Sequence, residues 1–91
     1  MTPEGKIKKE ICDFLRANGA YVFCPVQRGM GAATLDILAC WRGWFLAIEV
    51  KVPGEKPTKR QQFVAKEISK ASGVALVAYS VEDVAKWVSA G

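Results

Sequence analysis

Arg42-Gly43 lies between two apolar runs, "LDILAC" over residues 35–40 and "WFLAIEVKV" over residues 44–52. Two residues form the shortest common hairpin connection, so this pair sets two antiparallel strands and their register together. Trp41 then faces Trp44, Cys40 faces Phe45, and Asp36 faces Glu49. Directly opposed residues hold their Cβ atoms ~4.5–5.5 Å apart on one face of the sheet. Lys51 follows Glu49 by two and shares that face. Two carboxylates and an ammonium thus converge at the open end of a hairpin that otherwise reads as core.

Opposed carboxylates repel, and burial worsens the repulsion. A divalent cation between them removes the conflict, and oxygen-only ligands suit Mg²⁺ or Mn²⁺. The backbone carbonyl of Val50 is a third candidate oxygen. Such a site supports phosphodiester hydrolysis, with the metal polarising the phosphoryl oxygen and acidifying a bound water. Lys51 would hold that water or stabilise the charge of the pentavalent phosphorane. The alternative is a Glu-Lys pair on an exposed strand face, opposite an unrelated Asp. The chain has no histidine, which excludes Ser-His-Asp, Cys-His and one-histidine nuclease chemistry and a zinc site of the usual kind. Cys12, Cys24 and Cys40 lie far apart, form no CxxC pair, and read as small core residues.

A chain of 91 residues sets an expectation of one domain, residues 1–91, with a core small enough that an oligomer is a reasonable expectation. Apolar residues at 51% and charged residues at 24% describe a globular protein. The net charge of +4 points either to a polyanionic partner such as nucleic acid or to a chain that is simply basic. No apolar run approaches the ~20 residues of a membrane span. The odd cysteine count and a start without a signal peptide suggest a reducing, cytoplasmic setting.

Along the chain, Thr2 and Pro3 open a helix whose Ile7, Ile11, Phe14 and Leu15 recur at helical spacing, and Asn18-Gly19 stop it. Residues 20–26 read as a strand, followed by the loop "QRGMGAAT" and the hairpin. "PGEKP" is a loop, and Thr58 caps a second helix that stops near Gly73. "VALVAYS" reads as a buried strand, and Ser80 caps a short final helix. The order αβββαβα predicts an α/β fold, a mixed sheet flanked by helices. On a helical wheel Glu4 falls among Ile7, Ile11 and Leu15, with Glu10 nearer the edge of that face. Glu4 therefore serves either the site or the dipole of its own helix start. Gln61 shares a face with Ala65 and Ile68, while Gln62 points ~100° away. Gln61 serves either the site or the loop before its helix.

"PEGKIKKEI", "GMGAATLDIL", "AIEVKVPGEKPTKRQ" and "SGVALVAYSVEDV" together resemble the VRR-NUC family, a branch of the PD-(D/E)XK nuclease superfamily, over nearly the whole chain. The family pattern has an early helical Glu, a Gly-containing loop before a metal-binding Asp, an ExK strand, and a Gln on the next helix. The resemblance implies a restriction-endonuclease-like fold, Asp36 and Glu49 as metal ligands, and Lys51 as the catalytic lysine. The helical Glu fits Glu4, by its distance to Leu15 and Gly19, and the Gln fits Gln61. Stand-alone members of this size resemble phage proteins and are similar in architecture to archaeal Holliday-junction resolvases. That implies a Mg²⁺- or Mn²⁺-dependent endonuclease of DNA repair, acting as a homodimer on branched DNA in the host cytoplasm, without a small-molecule cofactor. Arg28, Lys56, Lys59 and Arg60 are the candidate DNA-binding residues. Trp41 and Trp44 depart from an otherwise aromatic-poor hairpin. They pack a dimer interface with Trp87, stack on DNA, or cover one face of the sheet. A non-catalytic nucleic-acid-binding domain of the same fold is the competing reading. A protein-binding module using Lys56, Lys59, Arg60 and Lys66 is a third.

Overall fold

The computed structural model describes residues 1–26 and 33–90, so Arg28 lies outside the described residues. Helix α1 (Pro3–Ala17) starts as its sequence dictates: the Thr2 hydroxyl accepts from the Gly5 N–H at 3.0 Å, and Pro3 occupies a position whose N–H no helix uses. The chain leaves it through Asn18 and Gly19, the latter at φ +86°. Strand β1 (Tyr21–Phe23) is shorter than residues 20–26. Pro25 follows closely and has no N–H to give a ladder.

Strands β2 (Ile37–Trp41) and β3 (Trp44–Val50) form the expected hairpin, with Trp41 opposite Trp44, Cys40 opposite Phe45 and Ile37 opposite Ile48. Arg42 (φ +49°) and Gly43 (φ +84°) both take positive φ, the turn whose twist matches that of the flanking strands. Asp36 and Lys51 sit just beyond the strands expected to hold them. Helix α2 (Lys59–Lys70) crosses over to β4 (Val74–Ala78), which lies parallel to β3, and α3 (Val81–Ala90) follows. The sheet order is β1-β2-β3-β4, antiparallel through β3. The expected order αβββαβα and mixed α/β sheet both hold.

The core lies on one face of the sheet. Ile37 and Ala39 from β2 and Leu46, Ile48 and Val50 from β3 meet Ile11, Cys12 and Leu15 of α1 and Val84 of α3. Burying such side chains stabilises the fold by about 1.5–3 kcal/mol each. Trp41 joins this face: its Nε1 donates to the Asn18 carbonyl at 3.0 Å, and its ring meets Trp87 edge-on at 5.5 Å. Helix α2 packs on the other face, against β3 and β4, and contributes no fully buried residue.

Three expectations need correction. Strand β4 is only partly buried, with Val77 exposed, because it is a sheet edge. Of the cysteines, only Cys12 is buried. Cys24 is half-buried, and Cys40 is exposed on the part of the α2 face that lies over β2, beyond the reach of α2. At the start of α3 the Ser80 carbonyl accepts from the Asp83 N–H at 3.2 Å, and the Asp83 carboxylate accepts from the Tyr79 N–H at 2.8 Å. The Ser80 backbone and the Asp83 side chain thus bond there in place of a Ser80 side-chain cap. Among the described residues, no helix is long and apolar enough to cross a membrane.

Candidate active site

The hairpin ladder ends at Ile37 and Ile48, and the Asp36 carboxylate takes over from it. Its Oδ2 accepts from the Val50 N–H at 2.9 Å, where a continuing β2 would have offered a carbonyl. Glu49 projects beside it on the α2 face, and at 3% exposure it is the buried charged side chain of the described residues. Lys51, half-buried on the same face, holds its Nζ 3.8 Å from Glu49 Oε2. Its backbone N–H donates to the Ala78 carbonyl at 3.0 Å, so β4 fixes its start. Residues 49 and 51 therefore turn their backbone groups toward β4, and Val50 turns its own toward Asp36. The Val50 carbonyl points to the same side of the strand as its N–H, toward Asp36.

Helix α2 supplies the remaining contact. Gln61 Nε2 donates to Glu49 Oε2 at 2.6 Å. The amide cannot turn around easily, because its Oε1 already accepts from the Thr58 N–H at 2.8 Å, while the Thr58 hydroxyl accepts from the Gln61 N–H at 3.2 Å. This capping box starts the helix and also aims the amide donor at the carboxylate. A cavity of about 60 Å³ opens beside these groups, lined by Leu35, Glu49, Pro57, Gln61 and Ala65 among others.

Burial, followed by the neighbouring Asp36 charge, pushes the Glu49 carboxyl up to about 7, and Lys51 pulls it the other way. A buried carboxyl beside a second carboxylate leaves negative charge that Lys51 offsets only in part, and a divalent cation would offset the rest. The donor set of two carboxylates and a carbonyl, all hard oxygens, fits Mg²⁺ or Mn²⁺.

Asp36, Glu49, Lys51, Val50 and Gln61 are thus brought together, and Glu4 is not. Glu4 sits half-buried in the first turn of α1, and no third acidic side chain joins the pair in a metal-holding cluster among the described residues. Glu10 is exposed. Gln62 is exposed at the rim of the same cavity and donates to the Pro57 carbonyl at 3.1 Å rather than to Glu49. Lys56, Lys59 and Arg60 are exposed on the loop and first turn that precede Gln61. The sequence reading took Thr58 only as a helix cap and missed that it orients Gln61, although the T-x-x-Q spacing carries that signal. It also missed Tyr79, whose hydroxyl donates to the Glu55 carbonyl at 3.0 Å and ties down the loop after Lys51.

No family model and no curated protein matches the sequence. Among solved structures, the chain is similar to one described as "VRR_NUC domain", at 25% identity and a TM-score of 0.83, over 98% of this chain and 97% of that one.

Proposed function

We propose that this chain, a VRR-NUC domain by its fold and spanning residues 1–91, is a Mg²⁺- or Mn²⁺-dependent endonuclease that hydrolyses phosphodiesters in branched DNA, four-way junctions above all. The observation that carries this reading is the buried Glu49 beside Asp36, with Lys51 at 3.8 Å and Gln61 at 2.6 Å on the same carboxylate oxygen. Asp36, Glu49 and the Val50 carbonyl would hold the metal. When bound, it supplies a Lewis acid for the phosphoryl oxygen and lowers the pKa of water. Lys51 stabilises the negative charge that develops on the phosphoryl group. Gln61 keeps Glu49 turned toward the site. Glu4 would act from outside the direct ligands, as a carboxylate at the start of α1. Lys56, Lys59 and Arg60, with Arg28, bind backbone phosphates. The setting is the cytoplasm, and no small-molecule cofactor is required.

A panel of labelled four-way junction, flap, nicked and plain duplex DNA tests the reading. The expected result is incision of the junction in Mg²⁺ or Mn²⁺ and none in chelator. Salt-sensitive binding without cleavage of any substrate in either metal would instead make this a non-catalytic DNA-binding domain.

Paired incision of a junction calls for two sites, and a twofold homodimer presents them. Trp41 is buried within the chain, so it does not form the interface its sequence suggested. The uncovered apolar surface lies on the α2 side, where Tyr21 (74%), Phe23 (53%), Phe45 (46%) and Phe63 (62%) are exposed. There a groove of about 680 Å³ separates α2 from the sheet, with Leu38, Phe45, Phe63 and Ile68 in its walls. A second copy covers this surface in our reading. Sedimentation equilibrium at micromolar concentration should give twice the chain mass of 9.9 kDa, and Phe63→Glu should shift the protein to monomer. A wild-type monomer that still makes paired incisions would contradict the dimer.

A further inference from the structure

Two sulfurs meet where α1 packs on β1. Cys12 lies on the inner face of α1 between Ile11 and Leu15 in the core, and Cys24 follows β1 directly after Phe23. Their Sγ atoms are 3.3 Å apart, one thiol donating to the other. Burial, followed by the hydrogen bond shared with Cys24, pushes the Cys12 thiol up to about 12. Cys40, the third cysteine, sits on the opposite face beside Phe45. The candidate active site uses none of the three.

We propose that Cys12 and Cys24 are a thiol–disulfide couple, which an oxidant of the disulfide class such as oxidised glutathione converts to an intrachain bridge clamping α1 to the end of β1. Cys24 is the more accessible of the two and reacts first. Its thiolate attacks one sulfur of the glutathione disulfide. That S–S bond breaks, and one glutathione leaves as thiolate, taking up the proton that Cys24 gave up. The Cys12 sulfur then attacks the Cys24 sulfur of the mixed disulfide and releases its own proton. The second glutathione leaves and is protonated in turn. Two cysteine thiols lose two electrons, and one glutathione disulfide becomes two thiols. The sulfurs need to close by only ~1 Å to reach the ~2.05 Å of a disulfide. Burial keeps the Cys12 thiol protonated near neutrality, so the closing step quickens as pH rises. The one-glutathione adduct on Cys24 is the intermediate between the two steps.

The bridge joins residues 12 apart in sequence, and it holds an edge strand of only three residues. Restricting the unfolded chain over a loop of this size should raise the melting temperature by roughly 10–20 °C. The test uses Cys40→Ser protein, or wild type alkylated at Cys40, incubated folded with oxidised glutathione and followed by intact mass and peptide mapping. The expected product passes through a one-glutathione adduct to a species lighter than the starting protein by two hydrogens. Its Cys12 and Cys24 peptides are linked, and its raised melting temperature returns to baseline on reduction. Cys12→Ala in the same background should stop at the adduct. The proposal is overturned if the Cys40→Ser protein stays at the adduct or unmodified at mildly alkaline pH, or if the bridged form melts no higher than the reduced one.

Discussion

Glu49→Gln and Asp36→Asn should each abolish metal-dependent cleavage and leave DNA binding in place. Both substitutions keep the shape of the site. An amide oxygen at position 36 can still accept from the Val50 N–H, and one at position 49 can still accept from Gln61. Each substitution removes the negative charge that would hold a divalent cation. Losing the metal forfeits several kcal/mol of transition-state stabilisation, which at about 1.4 kcal/mol per decade is at least ~10³ in rate. Lys56, Lys59 and Arg60 are exposed, and as the proposed phosphate-binding cations they should keep DNA affinity and its salt dependence intact.

The same substitution at Glu49 carries a second, independent signature. In the metal-free protein Glu49 keeps its proton until about pH 7, while its ordinary value is 4.5. Between those values the folded state binds more protons than the unfolded one, so stability falls as pH rises. This contribution is fully present below about 4.5 and lost by about 7, and its size is about 3 kcal/mol at ~1.4 kcal/mol per unit. Mn²⁺ should restore the loss at neutral pH by binding the ionised carboxylate. Denaturant titrations in chelator across this window should show the decline in wild type and not in Glu49→Gln. Cleavage that survives in both variants would defeat the site assignment, and an identical pH slope in Glu49→Gln would mean that Glu49 titrates normally.

The parts of the molecule legible in its sequence are those governed by local rules. The Arg42-Gly43 turn fixed the hairpin register, and Thr2 and Thr58 marked both helix starts, because each depends on residues within one turn. The approach of Asp36 to Glu49 followed from that register. Gln61 was reached by the helical wheel, although the side of the sheet its helix covers is a matter of topology. What escaped depends on how elements pack. Alternating apolar residues on both faces of β1–β3 suggest two covered faces, yet α2 spans only β3 and β4 and leaves Tyr21, Phe23 and Phe45 open. Cys12 and Cys24 are unremarkable in the sequence and become neighbours only because α1 folds back along β1. Trp41 and Trp44 looked alike across the turn, but Trp41 donates to Asn18 and is buried while Trp44 stays half exposed.

Lys51→Ala should slow single-turnover cleavage by ~10²–10³, the cost of removing one positioned electrostatic group from a reacting centre. The backbone of Lys51 is held by Ala78, so truncating the side chain leaves Asp36, Glu49 and the Val50 carbonyl where they are. Saturating Mn²⁺ should therefore still bind. The ammonium also has an indirect effect, since it is the charge that lowers the Glu49 carboxyl against burial and Asp36. Without it Glu49 holds its proton to higher pH, and the metal-binding midpoint should move upward in pH. The two roles separate in one experiment. If raising pH and Mn²⁺ together brings the variant's single-turnover rate back to wild type, Lys51 serves only to keep Glu49 ionised. If the deficit of ~10²–10³ persists at metal saturation, the ammonium acts on the reacting phosphoryl group itself. Lys51→Arg should then recover the metal-binding midpoint, which needs only the charge. It should recover little of the rate, because a planar guanidinium does not place its donors where the ammonium does. Cleavage by Lys51→Ala at the wild-type rate under all conditions would reduce Lys51 to a lysine beside the site and leave the two carboxylates and the metal to carry the reaction.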